Sequence, residues 1–124
     1  MIHFKIKHRV IPGFDQGWGN GYVLLPKGHK YHGISYDEID LDVHGGLTYS
    51  EHISKDFLKR SDLTNSEIKQ IDLDSWCIGF DTAHYGDNEH NCPESYVENQ
   101  CLHLKSQLGK KNLHQLIKKI LKNE

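Results

Sequence analysis

Trp76-Cys77-Ile78-Gly79-Phe80-Asp81-Thr82-Ala83-His84-Tyr85-Gly86-Asp87 joins a short apolar run directly to a polar one. Residues 76–80 have the length and composition of a strand buried on both faces, which makes them the best candidate for the centre of a sheet. Asp81, His84 and Asp87 follow at its end, where a rigid element holds side chains firmly enough to orient a ligand or a base. A second segment has the same character. In Asp42-Val43-His44-Gly45-Gly46-Leu47-Thr48-Tyr49-Ser50-Glu51 an alternating stretch runs into a glycine pair flanked by a histidine, hydroxyls and an aromatic ring.

Outward from these two segments the chain reads as one α+β domain over residues 1–124. Ile2, Phe4 and Ile6, with Val10 in the same parity, alternate with His3, Lys5, Lys7 and Arg9, the pattern of a strand buried on one face. Gly13 to Gly21 is a glycine-rich loop, and Tyr22-Val23-Leu24-Leu25 a second strand stopped by Pro26. Ser35 is placed to cap a helical turn through Ile39, with Glu38 closing a capping box. Leu41 and Val43 predict a third strand, and Leu47 to Ser50 its hairpin partner across Gly45-Gly46. Residues 51–75 read as a loop-rich excursion. Pro93 fits a first helical turn, with Ser95 or Asn91 as cap. Val97, Cys101, Leu104 and Leu108 predict an amphipathic helix over 94–108 that Gly109 closes, and Leu113, Leu116, Ile117, Ile120 and Leu121 mark a second helix. The expected architecture is a mainly antiparallel sheet of four or five strands packed with one or two C-terminal helices.

The composition fits an ordinary globular domain: 36% apolar, 26% charged and 10% aromatic residues over 124 positions. No apolar run reaches the roughly 20 residues of a membrane span, and no charged start leads into an apolar signal region, so a cytoplasmic address is expected without a membrane partner. Cys77, Cys92 and Cys101 form no Cys-x-x-Cys pair and read as reduced thiols. The formal charge of -2 gives no reason to expect extended nucleic acid as a partner. Its distribution is uneven, with lysines and arginine at both ends and an acidic middle. The N-terminal lysines read as protection of an edge strand, or, alternatively, as the lining of a phosphate pocket.

Glycine pairs let backbone amides approach an anion, so His44, Gly45, Gly46, Thr48, Tyr49 and Ser50 would suit a phosphorylated ligand. The plain alternative is a hairpin turn beside a hydrogen-bonded histidine. The carboxylates of Asp81 and Asp87 could accept from ribose hydroxyls, orient His84 as an acid–base group, or ligate a metal; otherwise they cap turns of a polar loop. Trp18 is the expected exposed stacking platform, with Tyr49 and Tyr85 as further candidates, and Arg9 the base-rich contribution to a phosphate site. His90 and Cys92 extend the histidine and acid run, but the spacing matches no established ligand pattern, so neither a metal nor a cofactor is assigned. No nucleophile elbow is present.

Val43-His44-Gly45-Gly46-Leu47-Thr48-Tyr49-Ser50 and Trp76-Cys77-Ile78-Gly79-Phe80-Asp81-Thr82-Ala83-His84-Tyr85-Gly86-Asp87, with Gly21-Tyr22-Val23, Pro26-Lys27-Gly28-His29, Tyr36-Asp37-Glu38-Ile39 and Tyr96-Val97, resemble a family of small uncharacterised bacteriophage and prophage proteins over about residues 21–108. Thr82 departs from the pattern, which has cysteine there, so no cysteine nucleophile is expected at that place. The resemblance implies a protein of the host bacterial cytoplasm and, by the company such proteins keep, an anti-defence role. In that role the protein is expected to bind a nucleotide immune signal, cyclic or ADP-ribose-derived, and to sequester it without cleavage, with a neighbouring copy in a homo-oligomer helping to enclose the ligand. The alternative is a small hydrolase cleaving a nucleotide or phosphodiester through His44, His84, Asp81 and Asp87, with or without a metal.

Overall fold

Trp76–Phe80 forms β4, an interior strand of a four-stranded antiparallel sheet ordered β1-β2-β4-β3 in a computed structural model that describes residues 1–122, without the side chains of residues 110–116 and 119. β1 is His3–Lys7, β2 Gly19–Leu25 and β3 Tyr49–His52. β2 lies antiparallel to β4 with Val23 opposite Ile78, and β3 lies on the other side with Tyr49 opposite Gly79. Both interior strands are apolar on both faces because both faces are covered. Val23, Leu25, Ile78 and Phe80 meet Val97, Cys101, Leu104 and Leu108 of the long C-terminal helix, while Tyr22, Leu24 and Cys77 meet Ile53, Leu58 and Ile71 on the opposite face. The described residues thus form one α+β domain with an antiparallel sheet and a C-terminal helix, as the sequence predicts.

Several local expectations are corrected. Residues 51–75 contain two short helices, α1 (Lys55–Lys59) and α2 (Asn65–Lys69), each started by a side-chain cap, Ser54 and Thr64. Thr64 and Glu67 form a capping box. The box expected at Ser35 does not form: Tyr36–Glu38 is a single 3-10 turn with no side-chain cap, and the amide of Glu38 donates to the Ser35 carbonyl instead. The C-terminal helix, α3, runs unbroken over Glu94–Lys122 through Gly109, about 44 Å long. A glycine inside a helix costs only about 1 kcal/mol relative to alanine, less than is needed to end one. Of the stripe expected beyond Gly109, Leu113 and Leu116 lie outside the described side chains, whereas Ile117, Ile120 and Leu121 are exposed. Ser95 lies inside α3 rather than capping it, and Asn91 spends its side chain within the preceding loop.

Leu41 and Val43 are buried as their alternation predicts, but 41–43 is not a strand and pairs with no hairpin partner. Its backbone is satisfied by two glutamines of α3. The Asp42 amide donates to Gln107 Oε1 at 2.8 Å, Gln107 Nε2 donates to the Asp42 carbonyl at 2.7 Å, and the His44 amide donates to Gln100 Oε1 at 2.8 Å. These bonds lay the segment along the helix and deliver His44 to its N-terminal half. On the strand side, Lys5 is buried rather than spread over a sheet edge. Its ammonium reaches Glu98 at 3.2 Å, Glu94 at 3.3 Å and Asp62 at 3.7 Å. No helix among the described residues is long and apolar enough to cross a membrane.

Candidate functional site

The loop that leaves β4 is pinned before it reaches its polar residues. Thr82, fully buried, donates its hydroxyl to the Gly19 carbonyl at 2.7 Å, and its own carbonyl accepts from the Gly17 amide. A side chain at position 82 therefore faces the interior. The Trp18 amide donates to the Cys92 carbonyl at 2.8 Å, closing the far end of the loop on the same strand entry. Between these anchors Gly86, at φ 91°, turns the chain back so that Asp87 points inward.

Asp87 is 7% exposed and is held from three sides. His44 Nε2 lies 3.0 Å from both carboxylate oxygens, and the His84 amide donates to Oδ2 at 3.0 Å. The Cys92 thiol, also buried, is 3.8 Å from Oδ1. Because a carboxylate only accepts, Nε2 of His44 carries the proton, and Nδ1 accepts from the Tyr96 hydroxyl at 2.8 Å. Burial raises the Asp87 pKa, but the bonds from His44 and the His84 amide outweigh it and hold the carboxyl below its ordinary 3.8. Burial, with the thiol of Cys92 and the charge of Asp87 behind it, pushes the Tyr96 hydroxyl up.

The His84 ring stands against His44, with centroids 5.7 Å apart, and its Nδ1 lies 3.4 Å from Asp81 Oδ1 and 3.4 Å from Asp87 Oδ2. Neither approach has hydrogen-bond geometry, and Nδ1 is buried without a partner. Asp81 is fixed by the Thr48 hydroxyl at 2.9 Å and by the Ala83 amide at 3.0 Å. Gly45 makes room for the ring: its φ is 68°, and a Cβ there would collide with His84 Cε1. Gly46, at φ 79°, has open space around the same position.

His84 and Asp87 line a cleft of about 450 Å³ whose other walls include Phe14, Asp15, Tyr85 and Asn88. Tyr85 is fully exposed and Phe14 half-exposed at its mouth. The cleft adjoins a groove of about 220 Å³ lined by His8, Arg9, Val10 and Glu89, with Phe14, Asp15 and Asn88 common to both.

Thus the two segments singled out in the sequence meet: His44, Gly45 and Thr48 from one, Asp81, His84, Tyr85 and Asp87 from the other. Other candidates lie elsewhere. Tyr49 stacks on Phe57 at 5.4 Å on the opposite sheet face, and Ser50 accepts from the Tyr36 amide. Trp18 is not an exposed platform; it packs against the core with the Lys5 ammonium 5.7 Å from its ring. Arg9 lines the adjoining groove rather than the cleft itself. His90 is exposed, its amide closing a turn on Asn88. Sequence reasoning missed Phe14 and Asp15 as cleft walls and Tyr96 as the partner of His44. Tyr96 could have been noticed as a hydroxyl one turn into a helix whose start lies beside Cys92. No family model, curated protein or solved structure matches the chain.

Proposed function

We propose that this protein hydrolyses a phosphoester bond in a nucleotide-type ligand at the His44–His84–Asp87 cluster. The observation that carries the reading is the convergence of two imidazoles and a buried carboxylate beside an open cleft, with one imidazole nitrogen left over. Hydrolysis needs a group that takes a proton from water, or a cation that eases its loss, and these side chains are donors for either. The water oxygen forms a bond to phosphorus, the bond to the leaving oxygen breaks, and that oxygen takes up a proton. Phe14 and Tyr85 offer ring faces to a base. Asp15 and Asp87 repel phosphate, and Arg9 in the adjoining groove is the guanidinium available to offset them. The resemblance to phage proteins supplies the setting: a nucleotide immune signal in the host bacterial cytoplasm, destroyed rather than stored.

Sequestration without cleavage is the second reading, favoured by the exposed rings at the cleft mouth. Against it, Thr48 spends its hydroxyl proton on Asp81, and Ser50, which accepts from the Tyr36 amide, does not line the cleft. Incubation with a panel of cyclic and ADP-ribose-derived nucleotides, followed by heat denaturation and mass spectrometry of the released small molecules, separates the two. New product that His84→Ala abolishes supports hydrolysis. Intact nucleotide retained by the protein replaces it with sequestration, and neither outcome for any nucleotide removes both.

A further inference from the structure

One possible ligand atom from each of His44, His84 and Asp87 lies within 4.8 Å of the other two. His44 Nε2 is 3.0 Å from Asp87 Oδ2, and His84 Nδ1 is 3.4 Å from the same oxygen. Nitrogen and oxygen ligands about 2.0–2.2 Å from a tetrahedral zinc stand roughly 3.3–3.5 Å apart, so these separations are already close to coordination spacing. We infer that the protein binds a first-row divalent cation, zinc by its donor chemistry, between His44 Nε2, His84 Nδ1 and Asp87.

Four features support the assignment. Two imidazoles and one carboxylate suit zinc better than calcium or magnesium, which take oxygen ligands. The local charge is right: Asp81 and Asp87 both face the cluster, and among the described residues neither is paired with a lysine or arginine. The buried Nδ1 of His84 makes no well-formed hydrogen bond although carboxylate oxygens of Asp81 and Asp87 stand 3.4 Å away, and a cation between it and Asp87 would satisfy it. Finally, the outer groups already exist. When His44 Nε2 binds the cation, its proton moves to Nδ1 and the Tyr96 oxygen accepts it, the arrangement that orients metal-bound histidines. Gly45 keeps the His84 ring close enough to share the ion.

His84 and Asp87 also line the cleft, so a fourth position opens toward it. Resting on the hydrolytic reading, a zinc held by these residues would leave that position for the attacking water and would lower its pKa to about 7.

The test is calorimetric titration of the chelator-stripped full chain with zinc alone, backed by circular dichroism of each variant. One zinc per chain is expected, weakened about 100-fold or more in His84→Ala, His44→Gln and Asp87→Asn, and unchanged in His90→Ala. Because the chain has 10 histidines, binding that survives all three cluster substitutions would mark surface capture and overturn the site. Absence of binding would do the same. His84→Ala, which removes a side chain with no hydrogen bond, keeps the test decisive if the other variants misfold. Cleavage that persists in excess chelator would refute the metal and leave hydrolysis standing; zinc bound at these residues with no nucleotide converted would leave the site and refute hydrolysis.

Discussion

Two histidine–carboxylate clusters are anchored on neighbouring turns of α3, and they differ in completeness. At the first, His3 Nε2 lies 2.5 Å from Glu98, Lys5 reaches the same carboxylate at 3.2 Å, and Lys105 Nζ donates to His3 Nδ1 at 3.1 Å. Every polar group there has a partner. At the second, Tyr96, His44 and Asp87 form a chain as well satisfied, but His84 Nδ1 stands beside it with none. Buried polar atoms in native proteins are almost always bonded; among the described residues His29 Nε2 and His84 Nδ1 are both buried without a hydrogen bond, and His84 is the one set against two carboxylates beside a cleft, where a ligand can complete it. The first cluster ties β1 to α3; the second ties two loops together around a gap.

Breaking the complete cluster should cost the most stability. Lys5→Met leaves Glu94, Glu98 and Asp62 facing one another without their shared ammonium, and burial of that ammonium is already opposed by desolvation that only these carboxylates overcome. A loss of about 2 kcal/mol is expected in urea unfolding, with zinc binding unchanged. A neutral result would show that completeness is no sign of a structural role.

Gly45→Ala sharpens the comparison from the other side. The left-handed backbone costs about 1–2 kcal/mol for a residue with a Cβ, and that Cβ would also drive the His84 ring away from Asp87. Stability should fall by about that amount and the zinc affinity with it. Gly46→Ala, at a similar φ but in open space, should show the backbone cost alone. Equal zinc affinity in the two variants would mean that the position of His84 does not matter.

The contrast also explains what the sequence made legible. The apolar run Trp76–Phe80 and the period of Val97, Cys101, Leu104 and Leu108 are local signals, and both elements stand where they point. Leu41 and Val43 carry an equally clear alternation, yet what decides their structure is the side chains of Gln100 and Gln107, far along the chain and invisible to any local pattern. α1 and α2 are five residues each, too short for helical periodicity to register. At the site, the unusual residue types were visible in both segments. Their convergence was not, because it depends on α3 receiving one segment and on Thr82 and Cys92 fixing the other. Tyr49 and Ser50 share the glycine pair's segment but enter β3, where alternation and register send them elsewhere.

A smaller effect separates the clusters by pH. Burial raises the Glu98 pKa, but His3 and Lys5 more than compensate and hold it below the ordinary 4.5. A carboxyl depressed in the folded state contributes stability that is present above its unfolded pKa and lost as pH falls through the folded one. The protein should therefore lose stability on acidification below about pH 4.5, and Glu98→Gln should flatten that limb of the urea-midpoint curve. Asp87→Asn should flatten a part that begins lower, from its ordinary 3.8 downward. An unchanged acid limb in Glu98→Gln would show that the His3–Lys5–Glu98 set is not what couples folding to pH.

The smallest effect is the most discriminating. Removal of a satisfied histidine such as His3 leaves Glu98 and Lys105 short of a partner, and about 1 kcal/mol should go with it. His84→Ala removes a ring whose only buried polar atom was already unpaired, so unfolding without metal should change by no more than about 0.5 kcal/mol. With zinc added the difference should open, since a ligand that binds only the folded chain stabilises it in proportion to the logarithm of its excess over Kd. The wild-type protein should gain stability and His84→Ala should not. A large loss in His84→Ala without metal would mean that the ring is a structural element after all, and the distinction between the two clusters would be gone.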